Sequence, residues 1–384
     1  MQTTLPHASS QPRQPRSVGF AALLLAIALA PATAWSKDRA GGALDLQDMG
    51  TFYVGGRIVE SPTPASSGPP FILPPARGSR VTDQSFVEYF VPRKVRGAPL
   101  VMVPGGSLLG SQYQTTPDGR PGWATRFVQW GHPTYLIEPA NRGRAGLYAD
   151  DINAALLGTG VSPAPSAGLW SFIPEVAWSH FGLGTVIPGS NNPFVPATFI
   201  AHADGRFALA GLQPLMASFV PNRFGNAAAE VGGITALLER LGSAVLIGHS
   251  LGGQQVFEAA LAQPTRIKAI VAIEPVACPA DVANPPFTAG DAERLAAARI
   301  PVFVIYGDFI DGGTPAQGFR PFQGPRRVLC KALAERLRAA GVQAQVVSLP
   351  EDLGIRGNSH LMMFENNSDD IAELIEKWLS LRRR

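Results

Sequence analysis

The sequence predicts an α/β protein in which a mostly parallel sheet is covered by helices on both faces. Strand-length runs that are apolar throughout alternate with helical stretches along most of the 384 residues. Strands buried on both faces have continuous apolar sequences, whereas half-exposed strands alternate between apolar and polar residues. Hydrophobic residues make up 46% of the chain and charged residues only 16%, which excludes a disordered, collagenous or coiled-coil protein.

The N-terminus predicts export. Arg13 and Arg16 precede an apolar run over residues 18–30, and a small-x-small site follows and ends at Ala34. A basic start, a short apolar segment and such a site are typical of a secretory signal peptide. The run is shorter than the roughly 20 residues that span a bilayer. We therefore expect residues 1–34 to be removed and the mature chain to be secreted or periplasmic.

Export changes how the charges and the cysteines are interpreted. The segment 1–34 holds two of the 32 basic residues and none of the 29 acidic ones, so the mature chain is almost neutral. This charge balance gives no reason to expect a nucleic-acid partner. Cys278 and Cys330 are the only cysteines. In an oxidising compartment a single pair is a disulfide candidate, and two separate buried thiols are the alternative.

Two strand patterns precede the parallel core. Residues 52–59 and 86–91 suit antiparallel strands joined by a Pro-rich loop, which predicts a β-ribbon that extends the sheet. The core strands that follow are predicted at residues 99–103, 133–138, 243–247, 267–273, 301–306 and 343–349. The helices are predicted at residues 123–130, 252–262, 289–298, 326–340 and 368–381.

One segment, at about residues 145–228, does not fit this alternation. It is rich in proline, glycine and aromatic residues and lies between two core strands. Long insertions of this kind are often functional, so we expect a lid over a site within a single domain that spans residues 35–384. The alternative is a second packing layer without a functional role. The aromatic residues of the insertion include Trp170, Phe172, Trp178, Phe181, Phe194, Phe199, Phe207, Phe219 and Phe224.

Residues 248–252 have the form Gly-x-Ser-x-Gly between a predicted strand and a predicted helix. This pattern is typical of a nucleophile elbow, a sharp and strained turn that exposes the serine above the sheet. Side chains two residues to either side would clash, which accounts for Gly248 and Gly252. The helix N-terminus also favours developing negative charge. We therefore predict that Ser250 is a nucleophile, although the pattern alone also occurs in ordinary glycine turns.

A serine needs a base to become a nucleophile at neutral pH. His360 follows the last predicted core strand, and the chain order Ser before His suits this kind of site. The other histidines are less suitable. His7 leaves with the signal peptide, His132 precedes a core strand, His180 and His202 lie in the insertion, and His249 should point away from Ser250.

The remaining parts of such a site are an acid and two oxyanion donors. The acid orients the imidazole, and Glu274, Asp308 and Asp311 each follow a predicted core strand. In sites of this kind the acid usually follows the seventh strand, which favours Asp308 or Asp311 over Glu274. The spacing alone leaves the choice among these residues open. We expect backbone N–H donors from Leu251 and from Gly106, which lies in a Gly-rich turn after residues 99–103.

With these residues the chain resembles the α/β-hydrolase superfamily, and more narrowly the Alcaligenes-type secreted bacterial esterases. The resemblance covers nearly the whole mature chain, from about residue 50 to 380. The combination of spaced motifs is more specific than the elbow alone. The stretches that carry it are residues 103–110, 115–120, 141–144, 273–275, 278–279, 307–308, 349–350 and 357–363.

The resemblance implies a role for particular residues. That family uses a glutamate after the sixth strand as its acid, and Glu274 occupies the matching position, with Asp308 in reserve. The family also has cysteines that match Cys278 and Cys330, which favours the disulfide. The chain departs from the family at residues 106–107, where the family carries two adjacent cysteines and this chain has Gly-Ser. It also has Leu-Gly after the nucleophile, where the family has Gln-Ser.

The resulting hypothesis is a secreted serine esterase that uses Ser250, His360 and Glu274 on a small-molecule ester with an apolar part. No metal or organic cofactor and no membrane span are expected, and the oligomeric state is left open. An amidase, a lactonase or a cofactor-free haloperoxidase would share the same residues. A non-catalytic binding protein is the alternative of a different class. Haloalkane dehalogenases and epoxide hydrolases need a carboxylate in place of the serine, which excludes them.

Overall fold

The computed structural model contains a large central sheet and a set of covering helices. It describes residues 43–61, 78–148, 169–189, 197–223, 227–280, 282, 284–314, 317–318, 320 and 322–381. The predicted signal peptide and parts of the predicted lid lie outside these residues. In the described part, the strands are β1 Leu46–Ser61, β2 Gly78–Pro92, β3 Leu100–Val103, β4 Thr134–Glu138, β5 Leu169–Trp170, β6 Gly184–Ile187, β7 Thr198–Ala201, β8 Asn222–Arg223, β9 Ala244–His249, β10 Ile267–Ile273, β11 Val302–Tyr306 and β12 Ala344–Ser348.

Helices connect most of these strands. In chain order, the α-helices are α1 Trp123–Gln129, α2 Pro174–His180, α3 Leu212–Ser218, α4 Ala227–Leu241, α5 Leu251–Ala262, α6 Asp291–Ala297, α7 Gln323–Ala339, α8 Leu349–Leu353 and α9 Ser368–Ser380. Short 3₁₀ turns lie at Gly110–Tyr113, Gly143–Ala145, Leu209–Gly211, Pro264–Arg266 and Met362–Phe364. No helix in the part of the chain that the structure describes is long and apolar enough to cross a bilayer.

Eight strands form the central sheet in the order β1-β2-β4-β3-β9-β10-β11-β12. The pairs from β4 through β12 are parallel, whereas β1 pairs antiparallel with β2, and β2 pairs antiparallel with β4. Every residue of β3, β9 and β11 is buried, as expected for strands covered on both faces. The predicted fold class and its N-terminal antiparallel ribbon are therefore confirmed.

Two apolar clusters cover the two faces of the sheet. One contains Leu237 of α4 and Phe257 of α5, together with residues of α6 and α7. The other contains Trp123 of α1 and Trp378 of α9, together with Phe181 and other aromatic residues of the insertion. The insertion thus packs on the same face as α1 and α9.

Several elements differ from the sequence prediction, among them the ribbon strands and helix α4. The ribbon strands β1 and β2 are longer than predicted, because their registered pairing continues from Leu46↔Pro92 to Ser61↔Gly78. Helix α4 is not predicted, since Gly232 and Gly233 weaken its helical pattern. The structure gives a reason for the second glycine. A Cβ atom at Gly233 would lie 1.9 Å from Ser85 Oγ, so the close packing of α4 on β2 requires a residue without a side chain there.

Cys278 and Cys330 form a disulfide, as predicted. The bond joins the loop after β10 to helix α7 across a sequence separation of 52 residues. It therefore constrains the segment that follows Glu274.

Candidate active site

The turn after β9 has the strained geometry predicted for Ser250. Its backbone has φ 55° and ψ −116°, a region that residues other than glycine rarely adopt. A Cβ atom at Gly252 would lie 2.4 Å from the Val103 carbonyl oxygen, and one at Gly248 would lie 2.3 Å from the Gly252 carbonyl oxygen. Both glycines are therefore required by close backbone approaches. The turn directs Ser250 out of the sheet at the start of α5.

Three polar groups at the turns after β3 and β9 are partly exposed, and the two turns are close, since a Cβ atom at Gly105 would lie 3.3 Å from Ser250 Cβ. Ser250, Leu251 and Gly106 are half-buried, whereas the residues next to them along the chain are mostly buried. Neither the Leu251 N–H, at the first position of α5, nor the Gly106 N–H has a hydrogen-bond partner among the described residues. Two free N–H groups beside a free hydroxyl form a suitable cradle for an oxyanion.

The carboxyl ends of three neighbouring strands meet at this edge of the sheet. The turn with Gly106 follows β3, Ser250 follows β9, and Glu274 follows β10, and these strands are adjacent in the order of the sheet. The Ser250 N–H donates a hydrogen bond of 2.9 Å to the Ile273 carbonyl oxygen, one residue before Glu274. In open α/β sheets, ligands bind at the carboxyl ends of the strands.

His360 is buried and held on three sides. Its Nδ1 lies 2.6 Å from Glu274 Oε2, and its backbone N–H donates to the Phe181 carbonyl oxygen at 3.0 Å. The ring stacks on Phe181 with a centroid separation of 5.5 Å and an interplanar angle of 3°. A carboxylate oxygen only accepts hydrogen bonds, so Nδ1 carries the proton of this pair. This tautomer leaves Nε2 as the basic ring nitrogen.

Glu274 is completely buried and accepts hydrogen bonds from three groups. The Gly307 N–H donates to Oε1 at 2.7 Å, whereas His360 Nδ1 and Arg320 Nη1 both donate to Oε2. The backbone of Glu274 also has a positive φ of 42°, which aims the side chain away from the normal strand direction. A buried carboxylate with this many donors is held firmly in one orientation.

Arg320 is a residue of the site that the sequence does not predict. The side chain is completely buried, pairs with Glu274, and donates through Nη2 to the carbonyl oxygen of Asp308. Burial lowers the pKa of Arg320 to about 9, so it remains a cation at neutral pH. No local pattern predicts its burial, since it lies in an irregular Gly- and Pro-rich loop. The buried negative charge of Glu274 was the one available signal, because such a charge requires a partner.

His249, next to Ser250, supports the His360 loop. It is buried, its Nε2 lies 2.9 Å from the His360 carbonyl oxygen, and the two rings have centroids 4.6 Å apart. Burial lowers the pKa of His249 to about 3, so the ring is neutral. Because the carbonyl oxygen can only accept, Nε2 carries the proton and donates it. The side chain of His249 is therefore directed toward the loop that carries His360.

The pKa of His360 lies well below its ordinary value. Burial of the ring is the main cause, and the neighbouring His249 ring and the charge of Arg320 lower this pKa further. The imidazole is therefore neutral at neutral pH, which is the form that accepts a proton.

Asp308 and Asp311, the other predicted acids, have different partners. Asp308 accepts from the N–H groups of Phe309 and Gly357, at 2.9 and 3.1 Å. Asp311 is exposed and pairs with Arg327 at 2.6 Å. Neither makes a hydrogen bond to His360 in the described part of the chain. Asp308 instead anchors the loop that leads to His360.

A wall of aromatic residues from the insertion lies beside His360. Phe181 stacks on Phe219 with centroids 5.7 Å apart, and Phe172 contacts both rings at 4.8 and 5.3 Å. Trp170, which is partly exposed, packs edge-on against Phe172 at 4.3 Å. The described part of the insertion thus places an apolar surface next to the imidazole. The remaining histidines, His132, His180 and His202, make no hydrogen bond to Ser250, Glu274 or His360 in the described residues.

Comparisons with known proteins agree with this fold. The α/β-hydrolase-fold family matches residues 213–318, which include Ser250 and Glu274. A solved bacterial esterase is 33% identical in sequence and superimposes with a TM-score of 0.76, over 90% of this chain and 98% of the esterase. A probable secreted lipase from a fungal species (strain ATCC 74256) is 28% identical over 325 residues, which is 77% of this chain and 85% of the lipase.

The chain belongs to the α/β-hydrolase superfamily. The sheet order, the strained serine after β9 and the match to a bacterial esterase over nearly its whole length all agree on this. Within the superfamily it is a hydrolase similar to an esterase and to a lipase.

Proposed function

We propose that this chain is a secreted serine esterase that hydrolyses carboxylic esters through an acyl-enzyme. The observation that carries the proposal is the strained turn at Ser250, whose neighbour His249 lies with its ring 4.6 Å from the neutral imidazole of His360, which in turn is bonded through Nδ1 to the buried Glu274. A serine, a base and an orienting acid are the three groups that nucleophilic acyl transfer requires. The names of the similar bacterial esterase and fungal lipase support ester bonds as the target.

In the proposed reaction, Ser250 Oγ attacks the ester carbonyl carbon while His360 Nε2 takes the hydroxyl proton. The carbonyl π electrons move to the oxygen, and the Gly106 and Leu251 N–H groups stabilise the resulting oxyanion. The oxyanion then re-forms the carbonyl group and the ester C–O bond breaks, while His360 gives its proton to the departing alcohol oxygen, so that the alcohol leaves and an acyl-enzyme remains on Ser250. Water repeats the sequence with His360 as base, so that the acid is released and Ser250 is restored.

Glu274 supports this chemistry through the imidazole. Its carboxylate keeps the Nδ1–H tautomer, so that Nε2 faces the reaction as a base, and it stabilises the imidazolium that forms. Arg320 holds the same carboxylate oxygen, and the Gly307 N–H holds the other one. Because the oxygens are fixed from three directions, the imidazole needs little reorganisation during turnover.

The aromatic wall favours esters with an apolar acyl or alcohol part. Phe172, Phe181 and Phe219 present ring surfaces beside His360, and apolar groups gain free energy when they leave water for such a surface. The insertion that carries these rings is proposed to act as a lid. The N-terminal sequence and the name of the secreted fungal lipase support export of the mature chain.

A panel of nitrophenyl esters with increasing acyl length tests the proposal. We expect activity with the wild-type mature protein, and a loss of at least about 1,000-fold in kcat for Ser250→Ala and His360→Ala. Ser243→Ala, which changes a serine immediately before β9 and outside the site, is the matched control and should retain wild-type activity. Amide and lactone substrates in the same panel distinguish an amidase or a lactonase from an esterase.

Two outcomes would overturn the proposal. Ester hydrolysis that persists in Ser250→Ala would show that Ser250 is not the nucleophile. Absence of activity on every ester, with a folded protein by circular dichroism, would favour a non-catalytic binding protein instead.

A further inference from the structure

Arg142 lies behind the turn that carries Gly106. Its side chain is 0% exposed, and its Nη1 donates hydrogen bonds to two carbonyl oxygens of the turn, Gly105 at 2.7 Å and Leu108 at 3.4 Å. The Gly105 carbonyl oxygen also accepts from the Leu108 N–H at 3.2 Å. One guanidinium group therefore spans the turn from within the protein.

The carbonyl group that Arg142 binds belongs to the same peptide unit as the Gly106 N–H. A trans peptide unit is planar, and its C=O and N–H bonds point in opposite directions. A cation that holds the Gly105 oxygen on the buried side therefore fixes the Gly106 N–H on the open side. It also withdraws electron density through the amide, which makes the N–H a stronger donor.

We infer that Arg142 is a positioning residue for the oxyanion hole, which orients and polarises the Gly106 N–H without touching the substrate. This inference rests on the proposed function, in which that N–H binds the oxyanion. It adds a charged group to a site whose two donors are both neutral backbone amides.

The other side of Arg142 is connected to helix α5, which begins at the second proposed oxyanion donor. Arg142 Nη2 lies 3.3 Å from Glu230 Oε2 of α4, and Gln255 Nε2 of α5 donates to the same oxygen. Helix α5 begins at Leu251, whose N–H is the second proposed donor. The network of Arg142, Glu230 and Gln255 therefore links the turn after β3 to the helix after the nucleophile.

Several neutral groups also hold the turn that carries Gly106, and Arg142 differs from them because it is charged. The Gly105 N–H donates to Gln112 Oε1 at 3.2 Å, and Ser107 Oγ donates to Asn222 Oδ1 at 2.6 Å. Ser107 has a positive φ of 61°, so the turn is strained and depends on such contacts. All of these groups are neutral, whereas the Gly105 carbonyl oxygen faces a full positive charge.

The ion pair between Arg142 and Glu230 is poorly formed, which argues that Arg142 does more than stabilise the fold. The contact to Glu230 is long, and Arg142 Nε has no hydrogen-bond partner among the described residues. Burying a charge is costly, and a well-packed apolar side chain often stabilises a core as well as an ion pair does. The guanidinium instead directs its shortest hydrogen bond to the Gly105 carbonyl oxygen.

Arg142→Lys is the variant that tests this inference. Lysine keeps the buried charge opposite Glu230, but it lacks the planar fork that spans two groups. Removal of a whole oxyanion donor costs about 100- to 1,000-fold in kcat. Because Arg142→Lys keeps the Gly106 N–H and only weakens its support, we expect a smaller loss in kcat, of about 10- to 100-fold, with KM changed less than threefold. Arg126→Lys is the matched control, since Arg126 is a buried arginine that pairs with Asp369 at 2.7 Å outside the site.

A pair of inhibitors separates positioning from general structural damage. An aryl trifluoromethyl ketone forms an oxyanion on the nucleophile, whereas the corresponding alcohol fills the same space without one. We expect Arg142→Lys to weaken the ketone about 10- to 100-fold, in parallel with the loss of kcat/KM, and to leave the alcohol within threefold of wild type. The double variant Arg142→Met/Glu230→Gln, which removes both buried charges, should show the same selective loss even if the single variant does not fold.

The outcomes distinguish this inference from the proposed function. If Arg142→Lys and the double variant bind both inhibitors as the wild type does, the inference is wrong, while Ser250→Ala still tests the esterase. Equal weakening of ketone and alcohol would show a structural role and would also overturn it. If Ser250→Ala keeps full activity, the proposed function itself fails.

Discussion

Replacing Glu274 by glutamine tests the acid of the proposed triad. In the structure, its two carboxylate oxygens face three donors, which are His360 Nδ1, Arg320 Nη1 and the Gly307 N–H. Glutamine offers one acceptor oxygen and one NH₂ group in their place. Whichever way the amide is oriented, its NH₂ group faces at least one of these donors.

The expected loss follows from this mismatch. If the amide directs its NH₂ group at His360, the imidazole satisfies it only by becoming an acceptor at Nδ1, which moves the proton to Nε2. That tautomer has no basic nitrogen toward Ser250. A comparable acid-to-amide change in a serine protease triad lowers kcat by about 10,000-fold, so we expect a loss of about 1,000- to 10,000-fold here. This corresponds to about 4 to 5.5 kcal/mol of transition-state stabilisation.

The assay is kcat/KM for a nitrophenyl ester, measured together with thermal unfolding. Glu274→Gln also leaves the buried Arg320 without its counter-charge, which costs about 3–5 kcal/mol of stability in comparable buried pairs. Glu274→Asp retains the charge and should therefore fold better and retain more activity than Glu274→Gln. Asp308→Asn is the matched control, since the Asp308 carboxylate accepts hydrogen bonds from the N–H groups of Phe309 and Gly357 and makes none to His360 among the described residues, and it should lose less than about 10-fold. A large loss in Asp308→Asn with a small one in Glu274→Gln would show that Asp308, and not Glu274, orients the imidazole.

Three further predictions concern other parts of the molecule. The charge of Arg320 lowers the pKa of His360, so Arg320→Gln should raise that pKa and move the acid limb of the kcat/KM profile to higher pH; an unchanged limb would contradict this. Cys278→Ala/Cys330→Ala should lower the free energy of unfolding in urea by about 4 kcal/mol for a loop of 52 residues, and a change below about 1 kcal/mol would be inconsistent with a structural bond. N-terminal sequencing of the exported protein should begin at Trp35, whereas an intact N-terminus would rule out the signal peptide.

The features that were predicted well from the sequence are those that depend on short local sequence patterns. Strand β10 has the predicted bounds, because a run of β-branched residues between turn residues is a strong signal. The elbow at Ser250 was predicted because a sharp turn can be built only with glycine at fixed offsets. The disulfide was predicted from a count of two cysteines in a chain with an export-like N-terminus, and the family resemblance favoured it over two separate thiols.

The features that were missed depend on distant parts of the chain. Helix α4 has a weak local pattern because Gly233 serves the packing of the helix on Ser85 rather than the helix itself. Arg320 and Arg142 are buried charges, and the sequence gives no sign that distinguishes them from surface arginines. Spacing also did not decide between Glu274 and Asp308, because the direction of a carboxylate at a strand end depends on the backbone strain there.

Labelling with a fluorophosphonate, followed by mass spectrometry of the digested protein, tests the nucleophile most directly. The reagent phosphonylates an activated serine and should add one label per chain, on the peptide that contains Ser250. The label should be absent from Ser250→Ala and slowed at least about 100-fold in His360→Ala, because the imidazole activates the hydroxyl. A single label on a different serine, or equal labelling of Ser250→Ala and wild type, would contradict the central claim.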